Sequence, residues 1–228
     1  LKQWGTTFAL YTQENEGRLP ARLDEGVWLL RGVMTSQGDV NEPRVGRSVR
    51  TQGIACCPMA TRLDEQPGHG STTPVEYRTG GVLTAWEITS PGPSFRGSYG
   101  LNHSLFLPAP NGFRPGSYPP PALDTLSIKG GFSIPVLLDS PVPTMLTNWN
   151  ISPSQDGFRP SAGMPPCMKR HGTYVNGLFL DWSARRIDLK ELWVLRWYPG
   201  FDTAGRWTKA GNVQSEDWPE WMRGLKDY

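Results

Sequence analysis

The sequence predicts an α+β fold: an N-terminal helix packed on an antiparallel sheet, then long Pro/Gly-rich loops and a C-terminal extension with short helices. Three observations predict it. Leu1, Trp4, Phe8 and Tyr11 recur at intervals of three and four, the spacing of an amphipathic helix. In Tyr174–Asp181, Tyr174, Asn176, Leu178 and Leu180 fall on one face of an extended segment and Val175, Gly177, Phe179 and Asp181 on the other. Asp188 then stands as a helix N-cap with Glu191 at the N3 position, a capping box opening a helix through Leu189, Leu192, Trp193 and Leu195 or Arg196.

Taken in order, the opening helix should end near Asn15, Gly17 and Pro20, residues that stop helices. Val27–Val33 is a short apolar run, a strand or a helical turn under the sheet. Thr35–Arg47 is polar and reads as loop. Ile54–Met59 is apolar but interrupted by Pro58, and Pro67–Pro74 is loop. Val82–Ile88 reads as a strand, and Gly97–Leu107 as a strand entered through glycines. Pro108–Pro121 is an exposed Pro/Gly-rich excursion. In Ile134–Asp139 the proline suggests a strand edge or start rather than a central strand. Trp149–Pro166 is another loop. Trp182–Arg186 forms a turn leading to a second short strand around Ile187. In the tail, Asp217 as N-cap, Pro219 and Glu220 open a short helix with Trp221, Met222 and Leu225.

At 228 residues with net charge +2, the chain suits one domain and lacks the concentrated cationic footprint of a nucleic-acid surface. Its 26 glycines and 22 prolines make it turn-rich, yet 10 tryptophans supply enough buriable area to oppose disorder. Its 3 cysteines cannot all pair internally. Cys56 and Cys57 are adjacent and too strained to bond each other. One of the pair, with Cys57 as the candidate, bridging to Cys167 is the expected disulfide; three buried free thiols are the alternative.

Several segments together resemble a known family. His171, Gly172, Val175, Asn176, Phe179 and Asp181 match the His-nine-Asp-Gly signature of prepilin-type proteins, pilin-like and type II secretion pseudopilin-like, as in Planctomycetes and their relatives. Trp182 stands where that signature has glycine. The Cys57-Pro58 pair, Gly97-Ser98-Tyr99-Gly100, the Pro135–Asp139 segment and the Asn212–Tyr228 tail are also similar to the family. The resemblance implies that residues 1–20 are the C-terminal half of a long N-terminal helix, whose apolar half would precede Leu1 and anchor in the membrane. Residues 21–228 would be the pilin-like head. It further implies a structural subunit without catalysis, self-associating into a filament or joining other pseudopilins and secretion-system components. The place would be the cell envelope, periplasmic or extracellular.

The candidate sites are few. His171 and Asp181 could act as a metal or acid–base pair, but a straight strand would set them about 30 Å apart. Structural roles are expected instead: His171 at the strand entry, Asn176 within it and Asp181 in the turn. No Gly-x-Ser-x-Gly elbow raises a serine as nucleophile. His69, His103 and His171 are too dispersed for zinc-ligand spacing. No cofactor is expected, with calcium the weak exception through Asp139, Asp156 and Asp181. A rival function is cell-surface carbohydrate binding on exposed Trp197, Tyr198 and Trp207, against which core burial is the default.

Overall fold

The computed structural model describes residues 1–20, 54–72, 75–90, 92, 94–105, 128–145, 151–155, 166–198 and 201–228. The apolar run Val27–Val33, the loops Thr35–Arg47 and Pro108–Pro121, most of Trp149–Pro166, and Asp156 lie outside them.

The opening periodicity becomes helix α1, Lys2–Glu14. Trp4 and Phe8 are wholly buried, while Leu1 and Tyr11 are partly buried against the same core. The Trp4 indole N–H donates to the Ile54 carbonyl at 2.8 Å, so its polar edge is satisfied inside. The helix stops where Glu16 and Gly17 adopt φ of 54° and 78°, and the Gly17 N–H turns back to the Thr12 carbonyl at 2.7 Å. Gly5 lets the helix approach the sheet closely: a Cβ there would stand 2.8 Å from the Trp182 carbonyl oxygen.

Ten strands follow among the described residues: β1 Arg62–Leu63, β2 His69–Thr72, β3 Val75–Arg78, β4 Thr84–Ser90, β5 Phe95–Gly97, β6 Tyr99–Asn102, β7 Pro135–Asp139, β8 Thr144–Met145, β9 Tyr174–Phe179 and β10 Ala184–Asp188. The first sheet runs β1-β4-β3-β2, with β5 also paired to β4. The second runs β10-β9-β7-β6-β8. Pairing is antiparallel except for the short β1–β4 and β6–β8 pairs. The architecture is therefore α+β, with one N-terminal helix and two mixed, mostly antiparallel sheets. The chain passes from the first sheet to the second through one residue, Ser98, between β5 and β6.

The second sheet is a wall with a core on each side, and the alternation along β9 assigns residues to the two. Leu178 packs with Trp4, Phe8, Trp86, Leu101 and Leu137 on the α1 side. Val175 and Phe179 pack with Ile187, Leu192, Trp193, Trp197, Trp218 and Met222 on the other. The C-terminal extension supplies much of this second core. It is fastened by Lys190, 1% exposed, whose ammonium meets Asp227 at 2.7 Å and the Leu225 carbonyl at 3.1 Å.

Four expectations are corrected. The helix after Asp188 is a 3-10 turn, Leu189–Trp193, although its capping box forms. An α-helix would give the Leu192 carbonyl to the Arg196 N–H; here the Trp197 indole takes that carbonyl at 2.9 Å and the Arg196 N–H bonds Ser133. The tail forms two 3-10 turns, Ser215–Asp217 and Glu220–Met222, and Asp217 sits at N3 of a box capped by Gln214. Pro219 holds Trp218 in extended backbone, at ψ 146°, so no α-helix runs through it. The stretch read as loop over Pro67–Pro74 contains β2, where Gly70 lies opposite Tyr77 and leaves space for its ring. Finally, Pro135 begins its strand, but β7 is central in the sheet; the register shift between Pro135 and Leu137 accommodates the missing N–H.

Candidate functional site

The site is built around one buried carboxylate. Asp139 closes β7, the strand flanked by β6 and β9, so its side chain emerges where three strands and the turn before β9 converge. It is wholly buried. An ionised carboxylate there requires partners on every side, and it has them. Arg170 Nη1 lies 3.2 Å from Oδ1. The Asn176 backbone N–H and side-chain amide donate to Oδ2 at 2.7 and 3.0 Å. His171 Nε2 lies 3.2 Å from the same oxygen.

Arg170 is 2% exposed and spends its donors inside the protein. It reaches the carbonyls of Ser98 at 2.6 Å, Val82 at 2.8 Å and Gly81 at 2.9 Å. One guanidinium thus ties the sheet crossing at Ser98, the entry to β4 and the end of β7 together. The 3-10 turn Lys169–His171 delivers Arg170 inward and His171 to the edge, with the imidazole stacked on Tyr174 at 5.2 Å.

Cys57 closes the cluster. Its Sγ lies 3.4 Å from His171 Nε2, and its backbone N–H donates to Ser98 Oγ. Sγ, Nε2 and an Asp139 oxygen all lie within 4.8 Å of one another. Burial pushes the Asp139 carboxyl up, but the His171 hydrogen bond, the Arg170 charge and the Asn176 amide outweigh it and hold the group below its ordinary value. The Cys57 thiol is raised, chiefly by burial, with the neighbouring Asp139 charge adding to it. A buried thiol with raised pKa is a poor nucleophile. The same imidazole nitrogen faces both sulfur and carboxylate, whereas a relay of the nucleophile–base–orienter kind uses opposite ring nitrogens.

The chain matches no family model, and comparison with curated proteins and with solved structures finds no match.

The residues singled out from sequence are redistributed. His171 pairs with Asp139 and Cys57, not with Asp181. Asp181 instead accepts from the Ser183 N–H at 3.0 Å and hydroxyl at 2.6 Å in the β9–β10 turn. Asn176 binds the central carboxylate. The disulfide expectation is overturned: Cys56, Cys57 and Cys167 are all free. Cys167 is buried in the second core, 3.8 Å from the Met222 sulfur, on the far side of the sheet wall from the first-core residue Cys57. Two glycan-facing candidates are also corrected. Trp197 is 0% and Trp207 6% exposed, both consumed by the second core, and Tyr198 is half-buried against Phe201. Asp139, offered for calcium, is surrounded by nitrogen and sulfur groups, Arg170, Asn176, His171 and Cys57, rather than by the oxygen ligands calcium takes.

Arg170 and Ser98 were missed as site residues. A signal existed: Cys57-Pro58, Gly97–Gly100, the Asp139-terminated strand and the His171 motif each contribute a group to one point.

Proposed function

We propose that this chain is the head of a pilin-like subunit, a structural component of a type IV pilin-like filament or type II secretion pseudopilus. The observation that carries the reading is the way α1 meets the sheet. Trp4 and Phe8 sink into the first core while Gly5 brings the helix backbone onto the β9–β10 turn. The opposite flank stays open. Lys2, Thr6, Ala9, Leu10 and Gln13 line a groove of about 300 Å³ beside Trp182, and Leu10 is 50% exposed. A helix fixed to its own head on one flank and open on the other can transmit packing from a shared helical bundle to the head. No helix among the described residues is long and apolar enough to cross a membrane, so anchoring would come from chain outside them.

The test is expression of the full gene product, from its own start codon, with a prepilin peptidase and secretion-filament assembly machinery. Filaments in negative-stain micrographs and the chain in the sheared surface fraction are expected. A protein that stays monomeric and absent from that fraction, while a control pseudopilin assembles, overturns the proposal. Leu10→Asp, which leaves the buried flank untouched, should abolish filaments without unfolding the head.

A further inference from the structure

We propose that Cys57, Asp139 and His171 form a binding site for one divalent transition-metal ion of the zinc class. Its donors come from three distant segments: the turn after Ile54, the end of β7 and the turn before β9. They are a sulfur, a carboxylate oxygen and an imidazole nitrogen, the set that borderline-soft ions take. Calcium is excluded by chemistry, since it takes roughly six to eight oxygen ligands.

Two of the three spacings come near what a tetrahedral ion demands, and the third, from Sγ to the carboxylate, is within 4.8 Å. Metal–ligand bonds of about 2.0–2.3 Å place neighbouring donor atoms about 3.3–3.7 Å apart. Nε2 lies 3.4 Å from Sγ and 3.2 Å from Oδ2. Without an ion, the imidazole N–H and the Cys57 thiol can each donate to the Asp139 carboxylate, so the same three groups are also held together by hydrogen bonds.

The surroundings are those of a held donor set. Arg170 occupies Oδ1, and Oδ2 faces His171. Asn176 fixes the direction of Oδ2 with two hydrogen bonds, Ser98 Oγ anchors the Cys57 backbone, and Tyr174 stacks on the imidazole. Such outer contacts orient metal ligands elsewhere. The His171 side chain is 13% exposed and marks the route in, where water can take the open coordination position.

Binding balances simply. The ion displaces the Cys57 thiol proton to solvent and forms a bond to the thiolate. A neutral His171 binds through Nε2 with its proton on Nδ1, and Asp139 stays a carboxylate. The ion brings two positive charges and the departing proton removes one, so the occupied site gains a single positive charge over the empty one.

The experiment loads purified protein with Zn²⁺ or Co²⁺, removes excess by dialysis and measures metal per chain. One equivalent of metal and a thiolate-to-cobalt charge-transfer band in the near ultraviolet are expected. Cys57→Ser and His171→Gln should each weaken Zn²⁺ affinity by about a hundredfold or more in competition with a chromogenic chelator, beyond the roughly 10–100-fold known for outer contacts. Cys56→Ser and His103→Gln should leave it unchanged. Folding of each variant is checked by near-ultraviolet circular dichroism. Should either ligand variant fail to fold, wild-type protein decides alone: folded chain without stoichiometric metal, or cobalt bound without the thiolate band, overturns the site. Full affinity in folded Cys57→Ser and His171→Gln does the same.

Discussion

Arg170 and Asp139 meet with both side chains wholly buried, Nη1 to Oδ1 at 3.2 Å. Replacing one partner leaves the other buried without its countercharge. Asp139→Asn is therefore expected to cost about 3–5 kcal/mol of unfolding free energy in urea titration. Asp181→Asn, at an exposed turn, should cost about 0.5–1.5 kcal/mol. Equal losses at the two positions would show that the buried pair carries no special weight.

The same carboxylate sets a pH dependence. Its folded-state pKa lies below the ordinary value of 3.8. A depressed carboxylate contributes stability that is fully present above the unfolded value and is lost as pH falls through the folded one. The stability gap between wild type and Asp139→Asn should thus be constant from neutral pH down to about 5 and close below about 3.8. A gap that widens with acid contradicts the assignment.

Trp182 occupies left-handed backbone at φ 64°, while its ring stacks on Phe8 at 5.9 Å with planes 4° apart. Ring and backbone thus pull in opposite directions. Trp182→Ala loses the ring and keeps the strain; Trp182→Gly loses the ring and relieves it. The glycine variant should melt higher, by the equivalent of about 1 kcal/mol. Equal melting temperatures would indicate that the turn relaxes to another conformation.

Thiol labelling tests the cysteines. Cys56 is partly exposed, Cys57 is 2% and Cys167 0% exposed, and all are free. Without denaturant, a bulky maleimide should react first at Cys56, slowed by the burial that raises its thiol; in denaturant without reductant, all 3 thiols should react. A deficit of two thiols in denaturant would restore the disulfide.

The fold was most legible where one local pattern served one contact surface. The three-and-four spacing of α1 and the alternation of β9 follow directly from where Trp4, Phe8, Leu178 and Phe179 must point. Legibility failed where other groups competed for the backbone. The Trp197 indole, five residues past Leu192, and the distant Ser133 carbonyl divert the bonds that would have extended the Asp188-capped helix. The site was legible only in fragments. His171 and Asp139 were both visible, but their meeting depends on β7 lying beside β9, a pairing that no local spacing encodes. Trp197 and Trp207 were misplaced because aromatic composition does not say which rings a core will need.

The passage of the chain through Ser98 has a mechanical consequence. This residue joins the two sheets covalently, and the Arg170 guanidinium bonds its carbonyl while also gripping the loop into β4. Hinge motion between the sheets would have to break that grip at its pivot, so force entering through α1 should reach the far edge of the head as rigid displacement rather than be absorbed by bending.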